Sequence, residues 1–443
     1  MTGRQLSTDR RILALAVPAL GALIAEPLFL LADSAIVGRL GTTELAGLGL
    51  AGAILSSAVY LFIFLAYGTT STVARRMGAG DPGGAISLGV DAAWLAGAIG
   101  VAVGAVGWPA ATLLVRLIGG QGPVLAAAVT YLRWSLPGVP AMLIVLALVG
   151  VLRGLQNTRV TLWIAALGAV ANALLNLFLV HGVGWGIAGS AIGTVIAQFG
   201  MAIAAVTTVI REARRAGVSL RPRLAGVGLA GRSGVPLLIR TIALRGVLLL
   251  TTAVAATMGA PALAAHQVAT NVWTLLALGL DALAIAGQAL TGAALGASDV
   301  AGTRAATARM VRWGWGAGGV FGVVLLLCGS LLGPLFSSDP AVRTALTGAL
   351  VVAAVMQPLA GYVFVLDGVL IGAGDGRFLA YASLAQTLAY APVALAIGIW
   401  GPDGTGGLVL LWAAFAGAWM LMRAVLLGYR ARSDAWLITG ATR

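Results

Sequence analysis

Twelve apolar runs, each of about 20–30 residues, limit what this chain can become. A run of that length crosses a hydrocarbon layer roughly 30 Å thick as a helix. In lipid the backbone N–H and C=O groups must be satisfied within the segment, so helices are the form these runs take. They fall near residues 12–37, 44–73, 85–109, 122–150, 160–181 and 186–211, and again near 230–256, 262–294, 304–332, 340–370, 378–400 and 406–429. Of 443 residues, 60% are hydrophobic and 9% are charged, against about 25% charged in a soluble domain. The fold class is an all-α polytopic membrane protein.

The net charge of +13 invites comparison with nucleic-acid binders, but its placement argues for topology instead. All 27 basic residues are arginine, and 20 lie in alternate breaks between runs, against three (Arg39, Arg116, Arg343) in the other breaks. The most basic stretch, Arg211 to Arg232, is therefore expected in the cytoplasm together with both termini. It separates an N-terminal six-helix lobe, 1–211, and a linker, 212–229, from a C-terminal lobe, 230–443. A single cysteine, Cys328, excludes an internal disulfide framework. The first run is too long for a signal-peptide core and lacks a cleavage pattern.

The two halves repeat at a constant offset. Pro18 matches Pro236 (236 − 18 = 218), Gly41 matches Gly259, Pro140 matches Pro358, and Gly150, Gly154 and Arg159 match Gly368, Gly372 and Arg377. MGAGD at 77–81 matches LGASD at 295–299. Six spans per repeat is an even number, so the lobes enter the membrane from the same side as parallel repeats around a central cleft. Where the repeats differ in polarity, a lobe carries something of its own. Asp33 aligns with Thr251, Asn172 with Tyr390, Asn176 with Ala394, and Asp367 with Val149.

An ionised carboxylate at bilayer depth costs about 2.5–3.5 kcal/mol on insertion scales, which makes Asp33 a functional candidate; a place at the headgroup level is the alternative. Glu26, seven residues earlier, shares its helix face. Asn172 and Asn176, four apart, share a face of the fifth span, where amides can orient a carboxyl group or join helices. Asp281 with Gln288, and Asp367, are the candidates of the second lobe. Asp91, early in the third span, reads as structural. Arg240 and Arg245 can neutralise such acids, with snorkelling the default for Arg240. Pro18, Pro236, Pro140 and Pro358 are expected to kink their helices.

Other patterns carry no chemistry. GxGxxG occurs at 47–52 and 226–231, but neither copy follows a strand, and 63 glycines make such matches cheap. Without lysine there is no P-loop. His181 and His266 stand apart from Cys, His or acidic neighbours at ligand spacing, so no metal site is expected. No nucleophile, base and orienter set is readable, so the chain is not expected to be an enzyme.

LADSAIVGRLGTTELAGLGLA, ARRMGAGDP, GVLRGLQNTR, ANALLNLFLVHGVGWGIAGSAIGTVIAQ, LAIAGQALTGAALGASD and VLDGVLIGAGDGRF together resemble the MATE (multidrug and toxic compound extrusion) family, most closely its DinF-like bacterial branch. The resemblance covers nearly the whole chain. It implies twelve helices in two lobes, alternating access, and export of hydrophobic or cationic drugs or metabolites driven by inward H⁺ or Na⁺. It implies that Asp33 is the coupling residue, Pro18 the bending proline, and Asn172 and Asn176 the polar pair of the fifth helix. Asn176 departs from relatives with Asp at that position; one carboxylate fewer favours H⁺ over Na⁺. Asp367 matches an acid of the tenth helix that other branches use in coupling. A monomer in a bacterial plasma membrane is expected, with no cofactor beyond the coupling ion and no nucleic-acid partner. The alternatives are a lipid-linked precursor flippase, which calls for several cavity arginines, and an integral-membrane enzyme.

Overall fold

In the computed structural model, which describes residues 8–442, the helices begin at intervals that reproduce the sequence offset. Among the described residues twelve helices are long and apolar enough to cross a membrane. The first six are α1 Thr8–Gly38, α2 Thr42–Gly78, α3 Pro82–Leu117, α4 Gly122–Gly154, α5 Thr158–Gly182 and α6 Gly186–Arg215. The second six are α7 Leu224–Thr257, α8 Ala260–Gly296, α9 Val300–Phe336, α10 Pro340–Gly372, α11 Gly376–Trp400 and α12 Gly404–Arg432. From the second helix of each repeat to the sixth, every start is displaced by 218 residues, from 42 and 260 to 186 and 404.

The repeated turns explain themselves locally. After α2, Asp81 N–H reaches Arg76 O and Gly80 N–H reaches Met77 O; after α8, Asp299 and Ser298 do the same to Ala294 and Leu295. This is the Schellman closure, which needs a left-handed residue. It falls on Gly80 (φ +75°) in one repeat and on Ser298 (φ +58°) in the other. The aspartate that follows then caps the next helix: Asp81 accepts from Gly84 N–H at 2.8 Å and Asp299 from Gly302 N–H at 2.7 Å. The Gly84 N–H and the Arg76 guanidinium hold the Asp81 carboxyl below the usual carboxylate range. The motif shared by 77–81 and 295–299 is a helix stop followed by a helix start.

The other shared residues set close crossings. Gly150 and Gly154 of α4 lie against Ala66 and Val73 of α2, and Gly368 and Gly372 of α10 lie against Ala284 and Gln288 of α8, with no room for a Cβ. Thr69 and Thr70 donate across the first crossing to Ala147 O and Gly150 O, each at 3.1 Å. Pro140 and Pro358 fill the gaps left by Gly100 and Gly318. These two prolines act in packing. A 3₁₀ turn at Leu136–Gly138 leads into Pro140, whereas Pro358 lies inside an unbroken helix, as do Pro18 and Pro236. Large apolar side chains such as Leu31, Val106, Leu327 and Leu388 remain exposed, as a lipid-facing surface requires.

The chain divides into two compact units, with two of the divisions falling inside helices, at Ala16/Val17 and at Leu238/Ile239. One unit joins Val17–Leu238 to Gly440–Thr442, and is called here the first unit. The second unit joins Ile239–Thr439 to the start of α1 up to Ala16.

Candidate functional site

In the first unit α1 carries Asp33 into contact with α4, α5 and α6. The residue is 1% exposed. Its Oδ2 accepts from Tyr131 Oη at 2.8 Å, and its Oδ1 accepts from Asn176 Nδ2 at 2.8 Å and from Ser190 Oγ. All three donors are neutral, and among the described residues no cation pairs with Asp33. Asn172 stands one step behind: its Nδ2 donates to Thr194 Oγ1 at 2.9 Å, and its Oδ1 accepts from Asn176 Nδ2 at 3.3 Å. The helical spacing puts Asn172 beside Asn176, and Ser190 beside Thr194, so that one amide and one hydroxyl meet the carboxylate and the other amide and hydroxyl, Asn172 and Thr194, back them. Gly193 leaves the space in which the Asn176 amide oxygen sits, and that oxygen has no partner among the described residues.

Glu26 is not brought into this network. Seven residues put it on the Asp33 side of α1, but also about 10 Å away along the axis, and there the residue stays exposed. Pro18 lies lower still on the same helix, buried to an intermediate degree.

Tyr131 and Ser190 went unread in the sequence. The comparison that marked Asp33 would have found them, because their repeat partners are Ala349 and Leu408, which carry no polar side-chain atom.

The second unit uses the equivalent place differently. Thr251, the counterpart of Asp33, and Tyr390, the counterpart of Asn172, share a hydrogen bond of 2.7 Å. Its acids lie elsewhere. Asp367 of α10 is buried and takes both Arg240 of α7, through Nε at 3.2 Å and a closer Nη2 contact, and Arg423 of α12 at 3.4 Å. The Arg423 guanidinium also lies 5.0 Å from the ring centre of Trp419, beside a π-helical stretch of α12, Ala413–Trp419. Arg240, paired with Asp367, therefore does not snorkel. Asp281 of α8 is buried to an intermediate degree. Gln288, two turns along from Asp281, is a crossing residue whose carbonyl lies against Gly372.

The remaining polar candidates have structural places. Asp91 is fully buried and accepts from Arg223 through the backbone N–H at 2.8 Å and the guanidinium at 3.0 and 3.2 Å. His266 lies 3.1 Å from Thr252 Oγ1, and His181 lies 3.3 Å from Ile36 O.

Twelve spanning helices in a tandem repeat, with one buried acid among neutral donors, define a polytopic transporter. The family model MatE matches residues 18–178 and 236–396, two segments 218 residues apart, and the chain belongs to that family of transporters. It is 32% identical over 435 residues to Protein DETOXIFICATION 44, chloroplastic, of Arabidopsis thaliana, covering 93% of this chain and 81% of the relative. It is 28% identical over 373 residues to DNA damage-inducible protein F of Escherichia coli, covering 83% and 81%. A crystal structure of a variant of the Vibrio cholerae MATE transporter VcmN superposes with a TM-score of 0.88 at 21% identity, covering 98% of this chain and 99% of that one. The protein is thus a multi-pass membrane transporter of the multidrug and toxic compound efflux class, and not an enzyme.

Proposed function

We propose that this chain exports hydrophobic or cationic small molecules by alternating access in exchange for protons, with Asp33 as the residue that takes up and gives up the proton. One observation carries the reading: Asp33 is the buried acid whose partners are all neutral, whereas Asp367 is committed to two guanidiniums. A guanidinium competes directly with a proton for a carboxylate. Hydroxyl and amide donors do so far less, and all three can turn to accept a hydrogen bond instead.

When Asp33 binds a proton, one acceptor becomes a donor and needs a new partner. The Asn176 oxygen is an acceptor left unused beside it, so a turn of the amide satisfies the protonated acid. Tyr131 and Ser190 sit on α4 and α6, so losing or redirecting their bonds changes what holds α1 at its Asp33 level. That gives the proton different binding energy in different arrangements of the helices, which coupling requires. Asn172 orients Asn176, and Pro18 gives α1 a point of bending. Asp281, Gln288 and Asp367 serve the second unit's architecture and do not couple.

The arginine distribution supports a plasma-membrane orientation with both termini in the cytoplasm, and the chain works as a monomer. The flippase alternative needs free arginines for an anionic headgroup, and Arg240 is held by Asp367. The test is ethidium export in inverted vesicles. A pH gradient alone should drive it and a protonophore should stop it; transport driven by a Na⁺ gradient alone would overturn the proton assignment.

A further inference from the structure

The first helix of each repeat is divided between the units. α1 belongs to the second unit up to Ala16 and to the first from Val17; α7 belongs to the first unit up to Leu238 and to the second from Ile239. The first helix of either repeat thus begins among the helices of the other.

Each of these short ends is held by one ion pair to the third helix of the other repeat. Near the start of α1, Asp9 accepts from Arg309 of α9, through Nε at 2.5 Å and a closer Nη2 contact, and from Trp313 Nε1 at 2.9 Å. Just before α7, Arg223 donates three hydrogen bonds to Asp91 of α3, and Trp94 Nε1 of the same helix donates to Leu220 O at 3.0 Å. A Cβ at Gly226 would collide with the Asp91 carboxylate, so the first turn of α7 runs directly over it.

Asp91 and Arg309 occupy the same repeat position (309 − 91 = 218) with opposite charge. The ends they hold are opposite as well. With the partners exchanged, Asp9 would face Asp91 and Arg223 would face Arg309, two like-charge contacts. A repulsion built against the wrong partner is how charge encodes specificity between similar surfaces. The prolines add the second half of the device. Pro18 lies two residues beyond Ala16 and Pro236 two residues before Leu238, so at each division the helical ladder lacks an N–H donor.

We propose that the two ion pairs are charge-coded fasteners: they keep the short arms of α1 and α7 on α9 and α3 while Pro18 and Pro236 take up the bending of the helices. The role in transport rests on the exporter reading above; the fastening itself does not.

Hydrogen exchange of the full-length protein in nanodiscs separates the two. Arg309→Ala should speed exchange in 8–16 about tenfold and leave 224–238 unchanged, and Arg223→Ala should do the converse, since each removes hydrogen bonds to a charged partner. Both should lower ethidium export. Reversing the half-exposed α1 pair, as Asp9→Arg with Arg309→Asp, should restore slow exchange and export. Combining Asp91→Arg with Arg309→Asp places like charges at both fasteners and should free both arms. Unchanged exchange in the single variants, or a reversed pair no better than the single ones, would overturn the proposal. Restored exchange without any effect on export would leave the fasteners standing and sink their part in transport. If Asp91→Arg proteins fail to reach the membrane, the half-exposed α1 pair decides the matter.

Discussion

The two units answer the same problem, a carboxylate inside a membrane protein, in opposite ways. Asp33 is surrounded by Tyr131, Asn176 and Ser190, which bind its charge without cancelling it. Asp367 meets Arg240 and Arg423 and is cancelled outright. Their repeat counterparts sharpen the contrast: Thr251 with Tyr390 fills the Asp33 place with two neutral hydroxyls, while Val149 fills the Asp367 place with nothing polar. A buried acid with neutral partners has its charge bound but not balanced; one with two guanidiniums has it balanced. Position on a helix does not distinguish them, and the donors that surround each acid do.

The largest effect belongs to the charged network. Arg240→Ala strands Asp367 with the longer Arg423 contact, and removing one partner from a buried pair costs about 3–5 kcal/mol. The variant should show a much lower apparent unfolding temperature in detergent, and Asp367→Asn in the same protein should recover most of it. If Arg240→Ala is as stable as wild type, Asp367 is not cancelled and the contrast between the units fails.

A smaller effect belongs to the neutral network. Tyr131→Phe removes one hydrogen bond to a charged acceptor, worth about 1.5 kcal/mol, close to one pH unit of proton affinity. Because the lost donor favours the ionised acid, the pH of half-maximal ethidium export should move upward by about one unit, with folding largely intact. An unmoved pH profile would place Tyr131 outside the coupling site.

Helix positions were legible because apolar length and the 218-residue offset act locally. The turns at 77–81 and 295–299, and the glycines of α4 and α10, follow from the same backbone rules in both repeats. The core of the site was legible where helical spacing suffices, as with Asn172 and Asn176. What lay beyond reach were contacts made by distant elements. Nothing near Arg240 in the sequence says that Asp367, 127 residues later, is its partner, and Arg423 looks like one more topological arginine. Glu26 shows the converse limit: a shared helix face does not supply a shared depth. Asp9 and Arg309, and Asp91 and Arg223, become meaningful once the exchanged helix ends are seen.

Proton release on ethidium binding to the purified protein tests the central claim most directly. Wild type should release protons when the probe binds, and Asp33→Asn, which keeps the shape of the protonated acid and removes its titration, should release none and export none. Undiminished release and export by Asp33→Asn would contradict the assignment of coupling to Asp33.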